Sequence, residues 1–444
     1  MEIPPFTLDD LSKFEGMAPR THPLLEELGW RGLVAQHTQG LSEALSRDMV
    51  AGYCGFDPSA PSLHVGNLVP VMGLVHLQRH GHRPIFLAGG GTGMIGDPSG
   101  KSTERPLMSL DEIAANTSAI RAQLERFVDT SGKNAAIVDN NAKWLTRLDL
   151  IGFLRDVGKH FTVNYMMQKE SVKARLEAGV SYTEFSYMLL QAYDYLQLHE
   201  LYGATLQVGG SDQWGNITAG IELIRRTKGA ESHALTFPLL TTASGTKFGK
   251  TESGAVWLDP ERTSPYRFYQ FWINTDDRDV GPMLRTFTLL GRPEIEALDS
   301  ATKEKPEGRE AQRALARDVT TRVHGETALQ AAEEVSQLLF AKGDPRKLSR
   351  EALTLLEREI PTFGLAKGEP LDSFDLIDAV SVGKDALFKS KGEAKRAIEQ
   401  GGLYLNGQRL GTDRIPVSRD QLLHGRYLLV RKGARSYGLI RVAQ

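Results

Sequence analysis

Five stretches of this 444-residue chain hold residue types spaced for chemistry. In YCGFDPSAPSLHVGNL, Tyr53 to Leu68, the chain leaves an apolar strand, turns through Pro58 and Pro61 and enters a helix near Val65. His64 and Asn67 therefore stand at a helix N-terminus, three residues apart and able to face one ligand, where free backbone N–H groups favour phosphate. The stretch LAGGGTGMIGDPSGKS, Leu87 to Ser102, contains a GxGxxG and ends in Gly-Lys-Ser, with Asp97 and Lys101 inside it and Arg105 just beyond. It is neither a dinucleotide fingerprint nor a P-loop. Asp97-Pro98-Ser99-Gly100 stops the helix that the first requires, and Ile95 stands where the second needs glycine. TASGTKFGKTESG, 242 to 254, sets Lys247 and Lys250 in a Gly/Ser/Thr-rich loop that can swing two cations onto a polyphosphate. On EFSYMLLQAYDYL, Tyr187, Gln191 and Asp194 are spaced four then three and share one helix face. QVGGSDQWGN sets Asp212 and Gln213 at a helix start after a glycine turn, suited to binding hydroxyl and amino groups. Each stretch alone also fits a solvated loop or a solvent-facing stripe.

These residues need elements to carry them. Up to about residue 240 the pattern alternates strands with helices: MVAGYCGF, RPIFLA, AAIVDN, ATLQVGG and ALTFPLLT read as buried strands. NLVPVMGLVHLQRHG, SLDEIAANTSAIRAQLERFV and YTEFSYMLLQAYDYLQLHELYG read as helices. Alternation of this kind predicts an α/β fold with a doubly wound, Rossmann-like parallel sheet over 1–240, whose ligands sit at the carboxyl ends of the strands. Residues 241–264 read as a linker with a mobile lysine loop, 265–343 as an α-helical domain, 344–370 as a linker rich in Gly, Pro and charge, and 371–444 as a small basic module.

The formal net charge of -2 hides an asymmetry. From Lys384 to Gln444 there are 13 Lys and Arg against 5 Asp and Glu, so the rest of the chain sums to -10. A compact basic module on an acidic body suggests a polyanion such as RNA. The single cysteine, Cys54, excludes an internal disulfide, and no Cys/His cluster has zinc-ligand spacing, so no protein-bound metal is expected. No apolar run reaches bilayer length and the start MEIPPFTLDD is unlike a signal peptide, which makes a cytoplasmic protein without a membrane partner the expectation.

The order of the stretches is more specific than any one of them. A His-x-Gly-x at the first strand-to-helix turn, followed far downstream by Lys-x-Gly-Lys-Thr after the last strand, resembles the paired signatures of class I aminoacyl-tRNA synthetases. YCGFDPSAPSLHVGN, GGGTGMIGDPSGKSTER, FLRDVGKHFTVNYMMQKESV, EFSYMLLQAYDYL, GGSDQWGNITAG and TKFGKTESG together resemble the bacterial tyrosyl-tRNA synthetases, and SKGEAKRAIEQGGLYLNGQRL is similar to the S-four-type α+β RNA-binding module. The resemblance implies activation of L-tyrosine by ATP, with Mg2+, to tyrosyl-adenylate, and then transfer to the 3'-terminal ribose of tRNA(Tyr). By the same resemblance Ser59, His64, Asn67, Lys101, Arg105, Lys247, Lys250 and Thr251 would be catalytic. Tyr53 and Asp194 would meet the substrate phenol and Asp97, Tyr187 and Gln191 its ammonium, with Gln213 also at the tyrosine. Cys54, Gly55, Asp57 and Asp212, with His64, Asn67 and Lys250, would bind ATP, and Lys391, Lys395 and Arg396 the tRNA. A homodimer through FLRDVGKHFTVNYMM is implied as well. Two positions depart from the pattern: Asn67 stands where a second histidine is often found, and Gly392 replaces a more usual serine in the RNA-binding helix start. Other readings are a tryptophan-specific relative, a non-catalytic RNA-binding relative and a small nucleotidyltransferase. Tyr53 with Asp194, and the terminal basic module, favour tyrosine.

Overall fold

A computed structural model describes residues 21–99, 108–173, 179–245, 248–251, 254–341, 343–365, 375–381, 386–411 and 418–442, with the backbone alone at 170, 171, 250, 251 and 365. Its contacts divide the chain into two units, one of residues 1–255 with 281–295 and the other of 256–280 with 296–444.

The first unit is built on a six-stranded sheet of β1 (Gln36–His37), β2 (Ala51–Phe56), β3 (Arg83–Ala88), β4 (Ile137–Asn140), β5 (Ala204–Gly210) and β6 (His233–Phe237), in the order β1-β6-β5-β2-β3-β4. All neighbours from β6 to β4 are parallel, and only β1, a two-residue edge strand the sequence did not announce, runs antiparallel. This is a doubly wound arrangement, and its order reverses between β2 and β5. Both faces of its central strands are covered, which is why those strands read as continuous apolar runs. Tyr53, Ile85 and Leu87 share a core with Met188, Ala192 and Tyr195 of helix Tyr182–Tyr202, while Gly52 lies against Leu77 of helix Leu68–Arg79 on the other face. Ser181 starts the long helix by accepting the Glu184 N–H at 3.2 Å, and Gly203, at φ 66°, ends it. Beyond β6, a small antiparallel hairpin pairs β7 (Lys250–Thr251) with β8 (Gly254–Ala255).

In the second unit, helix Pro265–Ile273 packs on Glu310–His324 and Glu326–Ala341, and the latter packs on Arg350–Leu356. The C-terminal sheet has the order β11-β10-β12-β13-β9, formed by β9 (Thr362–Leu365), β10 (Leu403–Leu405), β11 (Gln408–Arg409), β12 (Tyr427–Lys432) and β13 (Ser436–Val442). Leu376, Val380, Ala394 and Ile398 of its two helices meet Leu403, Val430 and Ile440 of the sheet in one apolar core. The stretch 344–370, read above as a linker, is structured over much of its length. It contributes helix Arg350–Leu356, with four buried apolar residues, and β9, which pairs in parallel with β13. Tyr437 then donates to the Leu338 carbonyl at 3.0 Å and Tyr427 to Glu357 at 2.9 Å, tying the sheet to the helices before it.

Candidate active site

At the reversal point, β2 and β5 bring Tyr53 and Gln207 into register, and both side chains line a cavity of about 270 Å³. The Tyr53 hydroxyl and Gln207 Oε1 are buried and, among the described residues, have no hydrogen-bond partner. Such groups are costly to leave unpaired, so a ligand carrying a donor and an acceptor would satisfy them. Asp194, 3% exposed, enters the same cavity from the long helix. Asn141 Nδ2 donates to its Oδ2 at 2.8 Å and Trp144 Nε1 to its Oδ1 at 2.7 Å. Burial, with Asp57 adding repulsion, pushes the Asp194 carboxyl up to about 7 against the pull of those two donors. Burial, then Asp194, holds the Tyr53 phenol well above its usual range, so it stays a donor.

A second polar group lies on the same long helix, toward its N-terminus. Tyr187 donates to Asp57 Oδ2 at 2.9 Å, and Thr92 Oγ1 donates to Asp57 Oδ1 at 2.7 Å. Gly89 permits this approach, since a Cβ there would fall 2.2 Å from Asp57 Oδ1. Gly89, at the head of the glycine-rich stretch, thus makes room for a carboxylate. Tyr187 is locked as a donor toward Asp57 by burial and by the Asp57 and Asp97 charges, which leaves its oxygen free to accept. Nearby, Gln213 Nε2 donates to Asp97 Oδ2 at 2.7 Å, Gln191 Nε2 donates to Gln213 Oε1 at 3.2 Å, and Asn216 Nδ2 donates to Gln191 Oε1 at 3.0 Å. The result is a cluster of oxygen acceptors fit for an ammonium group.

The third part is the turn after β2. His64 Nδ1 accepts the Gly66 N–H and Asn67 Oδ1 accepts the His64 N–H, both at 3.0 Å, a reciprocal cap on the 3-10 turn Val65–Asn67 that precedes helix Leu68–Arg79. Asn67 therefore holds the turn as well as facing the cavity. Burial, with Asp212 contributing, pushes the Cys54 thiol up to about 12, so it is a neutral lining group rather than a nucleophile.

One cavity thus collects Tyr53, Cys54, Gly55, Asp57, Ser59, His64, Asn67, Asp97, Tyr187, Gln191, Asp194 and Gln213. Asp212 is exposed on the 3-10 turn Ser211–Gln213, outside the lining. Lys101, Arg105 and Lys247 lie outside the described residues, and Lys250 and Thr251 are described only as backbone of β7. Lys391, Lys395 and Arg396 lie on helix Lys391–Glu399 of the second unit, where Ser390 caps the start by accepting the Glu393 N–H. Lys391 pairs with Asp378, and Lys395 and Arg396 are exposed. Asn141, Trp144, Thr92 and Gln207 were missed by sequence reasoning. Asn141 and Trp144 follow β4 in a segment without a motif, and Gln207 sits in a largely apolar strand, where an amide between Leu206 and Val208 is the available signal.

A doubly wound sheet with a buried polar cavity at its reversal point, a capped His64 turn after the first parallel strand and a lysine-bearing hairpin after the last defines an α/β enzyme of the class I synthetase type. Residues 46–341 match the family described as "tRNA synthetases class I (W and Y)", and the chain belongs to it. Residues 356–440 match the "Tyrosine--tRNA ligase SYY-like C-terminal domain". The tyrosine--tRNA ligase of Roseiflexus castenholzii is 55% identical over 94% of this chain and 99% of its own, and that of Bacillus caldotenax 52% identical over 95% and 100%. Among solved structures, a C-terminally truncated mitochondrial tyrosyl-tRNA synthetase of Aspergillus nidulans superposes with a TM-score of 0.66 at 30% identity, covering 74% of this chain and 97% of that one.

Proposed function

We propose that the cavity binds tyrosine with its phenol at Tyr53, Asp194 and Gln207 and its ammonium at Asp97, Tyr187 and Gln191, and that ATP lies along the His64–Asn67 turn. The activity is tyrosine–tRNA ligation. A carboxylate oxygen of tyrosine attacks the α-phosphorus of ATP and pyrophosphate leaves. The carboxylate is already ionised, so this step needs alignment and charge stabilisation rather than a base. A hydroxyl of the 3'-terminal ribose of tRNA then attacks the adenylate carbonyl, AMP leaves, and the hydroxyl proton is released.

Ser59, His64 and Asn67 serve the ATP on one side, and Lys101, Arg105, Lys247, Lys250 and Thr251 stabilise the departing pyrophosphate on the other. Cys54, Gly55 and Asp212 complete the nucleotide side. Magnesium would accompany the ATP and offset the charge of its polyphosphate. The helical domain grips tRNA near the anticodon, and the basic module, through Lys391, Lys395 and Arg396, grips its long variable arm. The second copy of a homodimer covers the exposed Leu150, Ile151, Leu154, Val163 and Met167. Such a reaction belongs with translation in the cytoplasm, and among the described residues no helix is long and apolar enough to cross a membrane.

The observation that carries the tyrosine reading is Asp194, a buried carboxylate whose two oxygens each take one fixed N–H and keep lone pairs for a phenol. Asp194→Ala should abolish most tyrosine-dependent ATP–pyrophosphate exchange while leaving the melting temperature near that of the parent; unchanged exchange kinetics would sink the assignment.

A further inference from the structure

Between Lys247 and Lys250 lie two residues whose surroundings the reaction does not explain. Phe248 is 6% exposed, unusual for the centre of a Gly/Ser/Thr-rich loop, and its ring stacks on Phe287 with centroids 5.1 Å apart and planes 25° apart. Its backbone N–H donates to the Leu240 carbonyl at 3.1 Å, which ties the two stems of the loop. Gly249, at φ 82°, lies so close to the His64 turn that a Cβ would fall 2.9 Å from Val65 Cγ2 and 3.4 Å from Gly66 N. The two signature turns therefore touch through a glycine that no other residue could replace without moving one of them.

Phe287, in turn, is held from behind. It is 1% exposed and ends helix Asp277–Phe287. The buried Arg31 guanidinium donates to the carbonyls of Arg285 at 2.8 Å, Thr288 at 2.9 Å and Leu290 at 2.8 Å, satisfying one orphan carbonyl of the last helical turn and two of the segment that follows it. Thr288 Oγ1 adds a bond to the Leu284 carbonyl at 2.6 Å. The ring is thus a fixed surface on the catalytic unit.

We propose that Phe287 is a positioning residue for tyrosine activation: clamped by Arg31, it seats Phe248 and so holds the backbone between the two lysines against the Val65–Gly66 turn. This rests on the reading that Lys247 and Lys250 act on the ATP phosphates. A lost stack lets the turn drift, and a drift of about 1 Å in a charge-stabilising group costs up to about a hundredfold in rate. Tyrosine binding is made elsewhere in the cavity and is unaffected.

The test is a double-mutant cycle in ATP–pyrophosphate exchange with Phe287→Leu, Lys250→Ala and both together, with Phe248→Leu as the loop-side counterpart and melting temperatures for all. Phe287→Leu and Phe248→Leu should each lower kcat about tenfold or more with the KM for tyrosine within twofold, and Phe287→Leu should cost markedly less in the Lys250→Ala background, where only Lys247 is left to position. An equal loss in both backgrounds, or a rise in tyrosine KM in step with the fall in kcat, overturns the positioning role and leaves Phe287 as ordinary core. Should Lys250→Ala itself leave exchange unchanged, the reading of the lysine loop fails before that of Phe287. If Phe287→Leu does not fold, the same cycle with Phe248→Leu decides the matter.

Discussion

Asn141 Nδ2 lies 2.8 Å from Asp194 Oδ2, joining the residue after β4 to the long helix through a buried carboxylate. Its Oδ1 accepts the Gly91 N–H at 2.7 Å, so one side chain also holds the glycine-rich turn. Removing a donor from a buried charge costs about 1.5–3 kcal/mol. Asn141→Ala should therefore raise the KM for tyrosine about ten- to a hundredfold in pyrophosphate exchange, with the KM for ATP changed much less. An unchanged tyrosine KM would mean that Asp194 does not meet the substrate.

The raised Asp194 pKa gives tyrosine binding a pH dependence. The acceptor form is the ionised one, and burial sets its pKa near 7, so the KM for tyrosine should fall as pH rises from 6 to 8 and level off above that. For the fold the sign is opposite. A carboxyl whose folded pKa lies above the unfolded value is favoured protonated, and its contribution to stability is lost as pH rises from about 4 to about 7. Asp194→Asn should remove this part of the KM slope; an identical slope in that variant would assign the titration elsewhere.

His82 gives the reverse case. It is buried, its Nδ1 accepts the Val50 N–H at 3.2 Å, and its ring meets that of His22 at 5.2 Å. Burial, then the charges of His22 and His80, lowers its pKa to about 4. A histidine held neutral contributes stability that is complete above its unfolded pKa, about 6.5, and is lost as pH falls from there toward 4. The melting temperature of His82→Gln should fall less steeply than that of the parent between pH 6.5 and 4. Parallel curves would show that His82 titrates normally.

On the basic module, Lys395 and Arg396 stand exposed on helix Lys391–Glu399. If each meets a tRNA phosphate, Lys395→Ala and Arg396→Ala should weaken tRNA binding and reduce the salt slope by about one unit each, as counterion release requires, while tyrosine activation stays intact. A slope equal to the parent's in both variants would move the tRNA contact to another surface.

Legibility in the sequence differs from residue to residue. His64, Asn67, Tyr187, Gln191 and Asp194 were legible because chemistry-bearing residues at helical or turn spacing leave a local mark, and the cavity does bring them together. The parallel sheet followed from apolar runs that strands buried on both faces must have. Asn141 and Trp144 were not legible, since what matters about them is a contact across fifty or more residues with Asp194, and no spacing encodes that. The strand Thr362–Leu365 leaves no mark in the sequence, because four residues beside glycines and charges have no period of their own; pairing with Ser436–Val442 makes them a strand. Phe248 shows the same limit, a buried aromatic in a loop whose composition promised exposure.

The central claim is that Tyr53, Asp194 and Gln207 select an amino acid by its phenolic hydroxyl. The most direct measurement compares kcat/KM for tyrosine and phenylalanine in ATP–pyrophosphate exchange by the parent enzyme. With phenylalanine bound, the buried Tyr53 hydroxyl and Gln207 Oε1 go unpaired at about 1–3 kcal/mol each, so tyrosine should win by about thirtyfold or more. Comparable rates with the two amino acids would contradict the account, for the cavity would then be reading the ring and not the hydroxyl.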